Sequence, residues 1–208
     1  MRTRARIIAA AFELLGEEAG LYARVEEVAA RAGITRATFY DHFTGMAELR
    51  EALTYELTHV FMIAVSEAAA TLDDPRERAS AATRLYLERV QRDRHWAWSM
   101  VNLSASGFIF GAETFHQAQT TIQEGIAARL LTIPEARLGR DLWMGACFAA
   151  MVSMLREEAA ADYPRNVACR MLMALGVSSA DAEEISNRPL PAMPGSTASS
   201  AKLDNLSD

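Results

Sequence analysis

Arg36, Ala37 and Tyr40 have the residue types and the spacing to contact a nucleic acid from one face of a short helix. A guanidinium can donate two hydrogen bonds to one guanine, a methyl side chain permits close approach, and a phenol can bind phosphate. Phe39 and Phe43 lie four residues apart and therefore share a different face, which can be buried. The segment GITRATFYDHF thus predicts a helix with one buried face and one face open to a partner.

A glycine turn and a preceding helix are predicted to position this segment. Residues 25–32, VEEVAARA, repeat small apolar side chains at helical spacing, and Gly33 stands where a helix end tolerates a positive φ. Thr35 is a natural N-cap, with Ile34 and Phe39 placed as a hydrophobic staple. Two short helices joined by a tight glycine turn predict a helix-turn-helix, of which the second helix is the recognition helix.

Helical periodicity continues through most of the chain, and no segment alternates like a strand, so the sequence predicts an all-α fold of about nine or ten helices. The further helices are predicted at about Thr3 to Ala19, Met46 to Thr71, Pro75 to Arg94, Trp96 to Leu103, Ala112 to Leu131, after Pro134, and at Pro164 to Leu175.

These helices suggest two domains and a tail. Residues 1–48 are predicted to form a three-helix DNA-binding domain, and residues 49–187 a helical ligand-binding and dimerisation domain. Residues 188–208 are rich in proline and serine and cannot bury enough apolar surface to order themselves, so they are predicted to be a disordered tail.

The charge balance is compatible with an anionic partner in spite of a net charge of −6. Residues 1–50 contain seven Arg and seven acidic residues, so the amino-terminal part is neutral. All but one of the 21 basic residues are Arg, the side chain suited to phosphate. No apolar run is long enough for a signal peptide or a membrane span, which predicts a cytoplasmic protein without a membrane partner.

The second predicted domain carries aromatic and methionine side chains that can line a cavity between helices. Each of them alone is more often a core residue than a ligand contact, but together they predict a pocket for a small apolar or aromatic molecule. The set is Trp96, Trp98, Met100, Phe108, Phe110, Phe115, Trp143, Met144, Cys147 and Met151.

Residues 142–155, LWMGACFAAMVSML, are apolar on every side of a helix. Because so small a protein cannot enclose a helix completely, one side is predicted to pack on a second copy of the chain. A stripe of small residues permits close approach there, and the helix opened by Pro164 completes a two-fold four-helix interface. The predicted interface residues are Gly145, Ala149, Ser153, Val167 and Met171.

The sequence contains no constellation that predicts an enzyme. No nucleophile, base and orienting group occur together, and no phosphate-binding loop is present. Cys147 and Cys169 have no CxxC or nearby His spacing, so neither a metal site nor a cofactor is predicted, and both are most simply core residues.

From RARIIAAAFELL through VEEVAARAGITRATFYDHF to Leu49, the chain resembles the tetracycline-repressor (TetR) family of bacterial transcriptional regulators. The resemblance covers roughly the first fifty residues. It implies a phosphate contact for Thr35, base contacts for Arg36 and Ala37, backbone contacts for Tyr40 and His42, and either kind for Thr38.

Two positions depart from the family pattern. Arg24 stands where family members usually have a Ser or Thr cap, and Met46 replaces a common lysine, so one phosphate contact is gained and another is lost. Glu26 and Glu27 suit the dipole of the second helix but would repel DNA if they face it. Modest nonspecific affinity is therefore expected, with phosphate contacts supplied by Arg2, Arg4, Arg6 and Arg24.

The resemblance implies a homodimeric repressor that binds a pseudo-palindromic double-stranded operator and leaves it when a small apolar or aromatic effector binds. The alternative hypothesis is a ligand- or protein-binding module of the same fold that does not read DNA. The neutral amino-terminal part and the lysine missing at Met46 are the observations that keep this alternative open.

Overall fold

The computed structural model describes residues 2–104 and 112–194, with the backbone alone at residues 56–60 and 112. Within these ranges the chain is helical and contains no strand, which confirms the predicted all-α fold. The helices are α1 (Arg2–Leu15), a 3₁₀ helix (Glu18–Tyr22), α2 (Val25–Arg31), α3 (Arg36–Tyr40), α4 (Met46–Ala70), α5 (Pro75–Arg92), α6 (Arg94–Ser104), α7 (Ala112–Ala127), α8 (Ala136–Arg156), α9 (Tyr163–Ala174) and α10 (Ser179–Asn187).

The chain divides into two compact units. The described part of the first unit is residues 2–60 and 94–104, and that of the second is residues 61–93 and 112–194. The sequence predicted a domain boundary after residue 48. The first unit extends further and includes the start of α4 and all of α6. The reason is burial, because Leu53 of α4 and Leu103 of α6 belong to the same apolar cluster as the α3 ring of Phe39.

The core of the first unit is built from one apolar face of each of its helices. α1 packs against α2 and α6, and α2 packs against α3. Burying these side chains removes apolar surface from water and so holds the short α3, which is too short to be stable alone, in place. The fully buried large side chains of this core are Ile7, Leu15, Phe39, Phe43, Leu49, Leu53 and Leu103.

Two helices end earlier than the sequence predicted. α1 ends at Leu15 and not near Ala19, since the chain turns at Gly16 into the 3₁₀ helix. α7 ends at Ala127 and not at Leu131, because Arg129 has a φ of 59° and breaks the helical backbone.

In the second unit, α5 packs against α7, α8, α9 and α10. α10 follows Ser178, whose hydroxyl oxygen accepts a 3.2 Å hydrogen bond from the backbone N–H of Asp181, and the sequence patterns did not single this helix out. No helix in the described ranges is long and apolar enough to cross a membrane.

The first residue of the predicted tail is held by the second unit. Arg188 forms ion pairs with Glu77 of α5 at 2.9 Å and with Glu184 of α10 at 2.8 Å, and its carbonyl oxygen accepts a 2.6 Å hydrogen bond from Arg84. The chain is therefore ordered beyond the end of α10. Ion pairs and a hydrogen bond, and not apolar burial, hold Arg188 in place. Residues 195–208 of the predicted tail lie outside the described residues.

Candidate DNA-binding site

The start of α3 is set by Thr35. Its hydroxyl oxygen accepts a 3.1 Å hydrogen bond from the backbone N–H of Thr38, and Thr35 itself has an extended backbone with φ −80° and ψ 158°, the geometry of an N-cap. The hydroxyl oxygens of Thr35 and Thr38 lie 2.9 Å apart. Gly33 precedes them with a φ of 63°, a conformation that favours glycine and that turns the chain from α2 into α3.

α3 has the two faces that the sequence predicted. Phe39 and Phe43 are buried, with ring centroids 5.8 Å apart. Arg36, Ala37 and Tyr40 are exposed, and 62% of the Arg36 side chain is accessible. The outer face therefore presents a guanidinium, a methyl group and a phenol together, next to a helix amino terminus whose dipole favours phosphate.

Arg36 is held by two neighbours on this surface. Its Nη1 lies 2.9 Å from Oε1 of Glu26 on α2, and its Nη2 donates a 3.4 Å hydrogen bond to the Tyr40 hydroxyl. The guanidinium also lies over the Tyr40 ring, 5.6 Å from its centroid. The hydrogen bond to Tyr40, followed by the charge of Glu26, raises the pKa of Arg36 above its ordinary value, so this group is a permanent cation.

The predicted phosphate-binding arginines have different surroundings. Arg2 and Arg24 are exposed, and the backbone N–H of Arg24 donates a 2.8 Å hydrogen bond to Glu27 at the start of α2. Arg4 lies over the Phe43 ring, 5.2 Å from its centroid. Arg6 donates from Nη2 to the carbonyl oxygen of Ala32 and, at 3.3 Å, to that of Gly33, so it binds the turn of the helix-turn-helix.

His42 and Thr38 are half-buried beside the exposed face. Thr44 then opens α4, since its backbone N–H and its hydroxyl donate to Oε2 of Glu48 at 2.7 and 2.8 Å. The backbone hydrogen bond from Thr44, followed by the one from its hydroxyl, lowers the pKa of Glu48. The carboxylate thus stays charged at the positive end of α4, where it is favourable.

The predicted pocket residues fall in both units. Trp96 and Met100 are buried in α6 and Trp98 is half-buried there, all within the first unit, whereas Phe108 and Phe110 lie outside the described residues. The second unit contains half-buried Phe115, over whose ring the guanidinium of Arg140 lies at 5.2 Å. The buried members of the second unit are Trp143, Met144, Cys147 and Met151.

Three of these second-unit residues meet polar side chains of α5 that sequence reasoning missed. The Trp143 indole N–H donates a 2.8 Å hydrogen bond to the hydroxyl oxygen of Thr83, and Cys147 lies 4.0 Å from that oxygen. The Tyr86 hydroxyl donates to the sulfur of Met151 at 3.2 Å. The sequence shows that Thr83 and Tyr86 lie one helical turn apart and so share a face of α5. It does not show their partners on α8, because these are distant in the chain.

Burial raises the pKa of two of these side chains, Cys147 and Tyr86. It raises the pKa of the Cys147 thiol to about 12, although the hydrogen bonds with Thr83 and Trp143 act in the opposite direction. Burial also raises the pKa of the Tyr86 phenol. Both groups are therefore neutral at physiological pH, and the thiol is not poised as a nucleophile.

A polar cavity of about 460 Å³ lies between α9 and α10. It contains none of the ten predicted pocket residues. In the described ranges no three His, Cys, Asp or Glu side chains are placed to hold a metal ion. The residues that line the cavity are Arg165, Asn166, Cys169, Arg170, Glu183, Ser186 and Asn187.

The predicted dimer residues on α8 are open to a partner. Gly145 and Ala149 are exposed, and a methyl group added at Gly145 would meet no atom within 4 Å. Leu138 and Leu142, which are not among the predicted interface residues, continue the same face two turns and one turn before Gly145 and are 45% and 44% exposed. Ser153 and Val167 are half-buried, whereas Met171 is buried within its own unit and has little area left for a partner.

Two family models match this chain. Residues 7–53 match the model described as bacterial regulatory proteins, tetR family, and residues 74–188 match the one described as tetracyclin repressor-like, C-terminal domain. The second match alone spans more than half of the chain. The first match covers the predicted helix-turn-helix, and the second lies within the carboxy-terminal part of the chain.

Individual proteins are also similar. The HTH-type transcriptional activator FasR of Mycolicibacterium smegmatis is 28% identical over 90 residues, which are 43% of this chain and 41% of FasR, so the match spans less than half of that relative. RolR in complex with resorcinol is 28% identical, with a TM-score of 0.76 over 92% of this chain and 96% of RolR. AibR in complex with isovaleryl coenzyme A and operator DNA is 17% identical, with a TM-score of 0.61 over 84% and 98% of the two chains, and shares the fold.

Proposed function

Because the chain belongs to the TetR family of bacterial regulatory proteins, we propose that this DNA-binding transcriptional regulator is a homodimeric repressor released from a pseudo-palindromic operator by a small aromatic molecule. The family is not enzymatic. Repression, the dimer and the effector are the parts of the proposal that go beyond family membership. The dimer and the effector have the support given below, and a reporter gene tests repression.

The outer face of α3 carries the proposal for base recognition. Arg36 and Tyr40 are exposed together while Phe39 anchors the opposite face, so the side chains that suit a major groove point away from the core. An Arg can bind O6 and N7 of one guanine, and the Ala37 methyl group can touch a thymine methyl group. Arg36 is then the base-reading residue, and Thr35 and Tyr40 hold phosphates.

A dimer follows from the geometry that such recognition requires. Two recognition helices read successive major grooves when they lie about 34–36 Å apart, which a two-fold dimer provides. The α8 face of Leu138, Leu142, Gly145 and Ala149 is apolar, exposed and continuous over several turns. A second copy of the same face would bury it, with the glycine permitting close approach of the two helices.

The effector is proposed to be aromatic and to bind in the second unit. The likeness to RolR, whose structure holds resorcinol, covers nearly the whole of both chains and supports a small phenolic molecule. Trp143 supplies aromatic surface in this unit with the Thr83 hydroxyl beside it, the Tyr86 hydroxyl lies beside Met151, and Phe115 is a further half-buried ring of the same unit. Release from DNA requires only that the molecule binds the DNA-free conformation more tightly than the DNA-bound one.

A gel-shift titration tests the proposal. The purified protein is mixed with the intergenic DNA beside its own gene at two salt concentrations, and resorcinol and other phenols are then added. Specific binding that a phenol abolishes is the expected result, and a reporter gene behind the same DNA tells repression from activation. Arg36→Ala should bind this DNA more weakly and with less preference over unrelated DNA, whereas Arg170→Ala, which removes an exposed cation from α9, should bind it like the parent.

The alternative hypothesis, a ligand- or protein-binding module of the same fold that does not read DNA, predicts a different outcome of the same titration. Parent and Arg36→Ala protein would then bind this DNA and unrelated DNA equally weakly at both salt concentrations. Phenols would still bind the protein, which calorimetry would detect. This combination would refute base recognition by α3 while keeping the ligand-binding part of the proposal.

A further inference from the structure

Glu26 is an acidic side chain on the same exposed surface as the base-reading candidates. It lies in the first turn of α2, and its Oε1 contacts Nη1 of Arg36 at 2.9 Å. Both side chains are more than half exposed. An exposed pair of this kind contributes little to folding stability, and Glu27 in the same turn already supplies an acid for the dipole of α2, so stability alone does not account for a second acid at this place.

A carboxylate on this surface also opposes DNA binding in general. It repels the phosphate backbone, and it neutralises a cation that would otherwise release counterions from DNA. An acid in contact with Arg36 is therefore unfavourable for nonspecific affinity. What this acid can contribute to DNA recognition is the geometry of Arg36.

The contacts of Arg36 leave its recognition capacity intact. A guanidinium has five N–H donors, two on each terminal nitrogen and one on Nε. The Glu26 carboxylate forms an ion pair with Nη1, with Oε1 2.9 Å away, and the Tyr40 hydroxyl oxygen accepts one hydrogen bond from Nη2 at 3.4 Å. At least one donor remains on each terminal nitrogen and another on Nε, enough for the two bonds that a guanine accepts.

The two contacts also restrict how the side chain can move. Arg has many rotamers and loses considerable conformational entropy when it is ordered. Glu26 binds the guanidinium from α2, whereas Tyr40 binds it from α3 and supports its flat face from a centroid 5.6 Å away. Because the glycine turn at Gly33 fixes α2 against α3, the two anchors hold the guanidinium from two directions.

We propose that Glu26 is a positioning residue for base recognition, which orders the Arg36 guanidinium for one base position and lowers nonspecific affinity for DNA. The inference rests on the proposed function, in which Arg36 reads a base. The gain in specificity has two sources: an ordered side chain discriminates among bases better, and weaker nonspecific binding enlarges the ratio between specific and nonspecific affinity.

Glu27 offers a matched control on the same helix turn. Glu27→Gln removes the same charge as Glu26→Gln, but the Glu27 carboxylate accepts its hydrogen bond from the backbone N–H of Arg24, which the amide oxygen of Gln can also accept. A purely electrostatic role predicts equal effects of the two substitutions. A positioning role predicts that they differ in base preference.

The experiment uses a double-stranded DNA pool with a randomised segment. Sites are selected from it with the full-length parent, and affinities are then measured for the selected site, its single-base variants and an unrelated duplex. Arg36→Ala should reduce discrimination at one position in each half-site by about 5- to 150-fold, the range for a lost bidentate contact. This variant identifies the position that Arg36 reads.

At that position, Glu26→Gln should reduce discrimination by about 1.4- to 5-fold, the range for an exposed ion pair, and Glu27→Gln should leave it unchanged. Both Gln variants should bind the unrelated duplex more tightly than the parent does, and to the same extent. The thermal midpoints of all three proteins should coincide, because neither exposed carboxylate carries much of the folding stability.

The possible failures are distinguishable. If Arg36→Ala leaves the preference at every position unchanged, the proposed function of α3 is refuted. If Arg36→Ala loses the base preference at one position but Glu26→Gln and Glu27→Gln discriminate among bases equally there, α3 reads DNA and the inference about Glu26 is overturned.

Discussion

The Asn102 side-chain amide of α6 donates a 2.9 Å hydrogen bond to the carbonyl oxygen of Leu15, the last residue of α1. It also donates to the carbonyl oxygen of Glu17 at 2.8 Å. The last carbonyl groups of a helix have no partner within the helix, so a buried amide from α6 satisfies them. The end of α1 therefore depends on a helix that lies far along the sequence.

Asn102→Ala should destabilise the first unit. The substitution leaves the buried carbonyl oxygen of Leu15 without this donor, whereas that of Glu17 keeps the backbone N–H of Gly20, and the loss costs about 1–3 kcal/mol of unfolding free energy. Urea unfolding followed by circular dichroism measures the change. Asn166→Ala is the matched control, since Asn166 is exposed on α9 and should shift the unfolding free energy by less than about 0.5 kcal/mol. Equal shifts in the two variants would contradict the prediction.

Arg6→Ala should weaken the helix-turn-helix rather than remove a phosphate contact. The Arg6 guanidinium binds the carbonyl oxygens of Ala32 and Gly33, so its loss should lower the unfolding free energy by about 0.5–1.5 kcal/mol. The salt dependence of DNA binding should remain that of the parent. Arg2→Ala, which removes an exposed cation from the same helix, should keep the stability and reduce the salt slope by about one.

The opposite pattern would reassign Arg6. Parent-like stability of Arg6→Ala, together with a reduced salt slope, would show that Arg6 contacts phosphate in the complex and that the turn does not depend on it.

The local features of the site could be predicted from the sequence because they depend on neighbours in the chain. Thr35 caps the backbone three residues ahead, and Phe39 and Phe43 share a face because they are four residues apart. These relationships follow from helical geometry alone. The two faces of α3 and its start were accordingly predicted at the correct residues.

Contacts between elements could not be predicted in this way. Glu26 and Arg36 pair across the turn, and which rotamers meet there is decided by how α2 packs on α3. Leu103 belongs to the core of the first unit although its sequence neighbours gave no sign of it. Met171 has apolar helical spacing like Val167 but faces its own core, because periodicity identifies a buried face without telling whose core buries it.

The stability of the second unit should fall at alkaline pH partly through Cys147. Burial raises the pKa of this thiol from 9.0 to about 12, so the folded protein keeps a proton that the unfolded chain loses. Its contribution to stability is complete below about pH 9 and is lost as the pH rises toward about 12. Cys147→Ala should therefore flatten the decline of the unfolding free energy with pH in this window.

The measurement is urea unfolding at several pH values. The quantity compared is the slope of the unfolding free energy against pH, and not the absolute stability. Tyr86, whose pKa is also raised by burial, contributes a decline of the same sign that remains in the variant. Cys169→Ala serves as a second thiol substitution in the same unit. A slope for Cys147→Ala as steep as that of the parent would refute the assignment.

Ala149→Glu should convert the proposed dimer into a monomer. Ala149 is exposed in the single chain, so a carboxylate there is solvated and should leave the fold intact. In a dimer formed through the face that includes Leu142 and Gly145, two such carboxylates would be buried near each other, which costs several kcal/mol per ion. Light scattering after gel filtration should give the mass of a dimer for the parent and of a monomer for the variant.

Ala127→Glu is the control, because it places the same charge at an exposed alanine of α7 and should leave the dimer unchanged. Circular dichroism should confirm that both variants are folded. Loss of the dimer should also weaken operator binding, since one recognition helix alone reads only one half-site. A dimeric Ala149→Glu protein that still binds the operator like the parent would exclude this face of α8 as the interface.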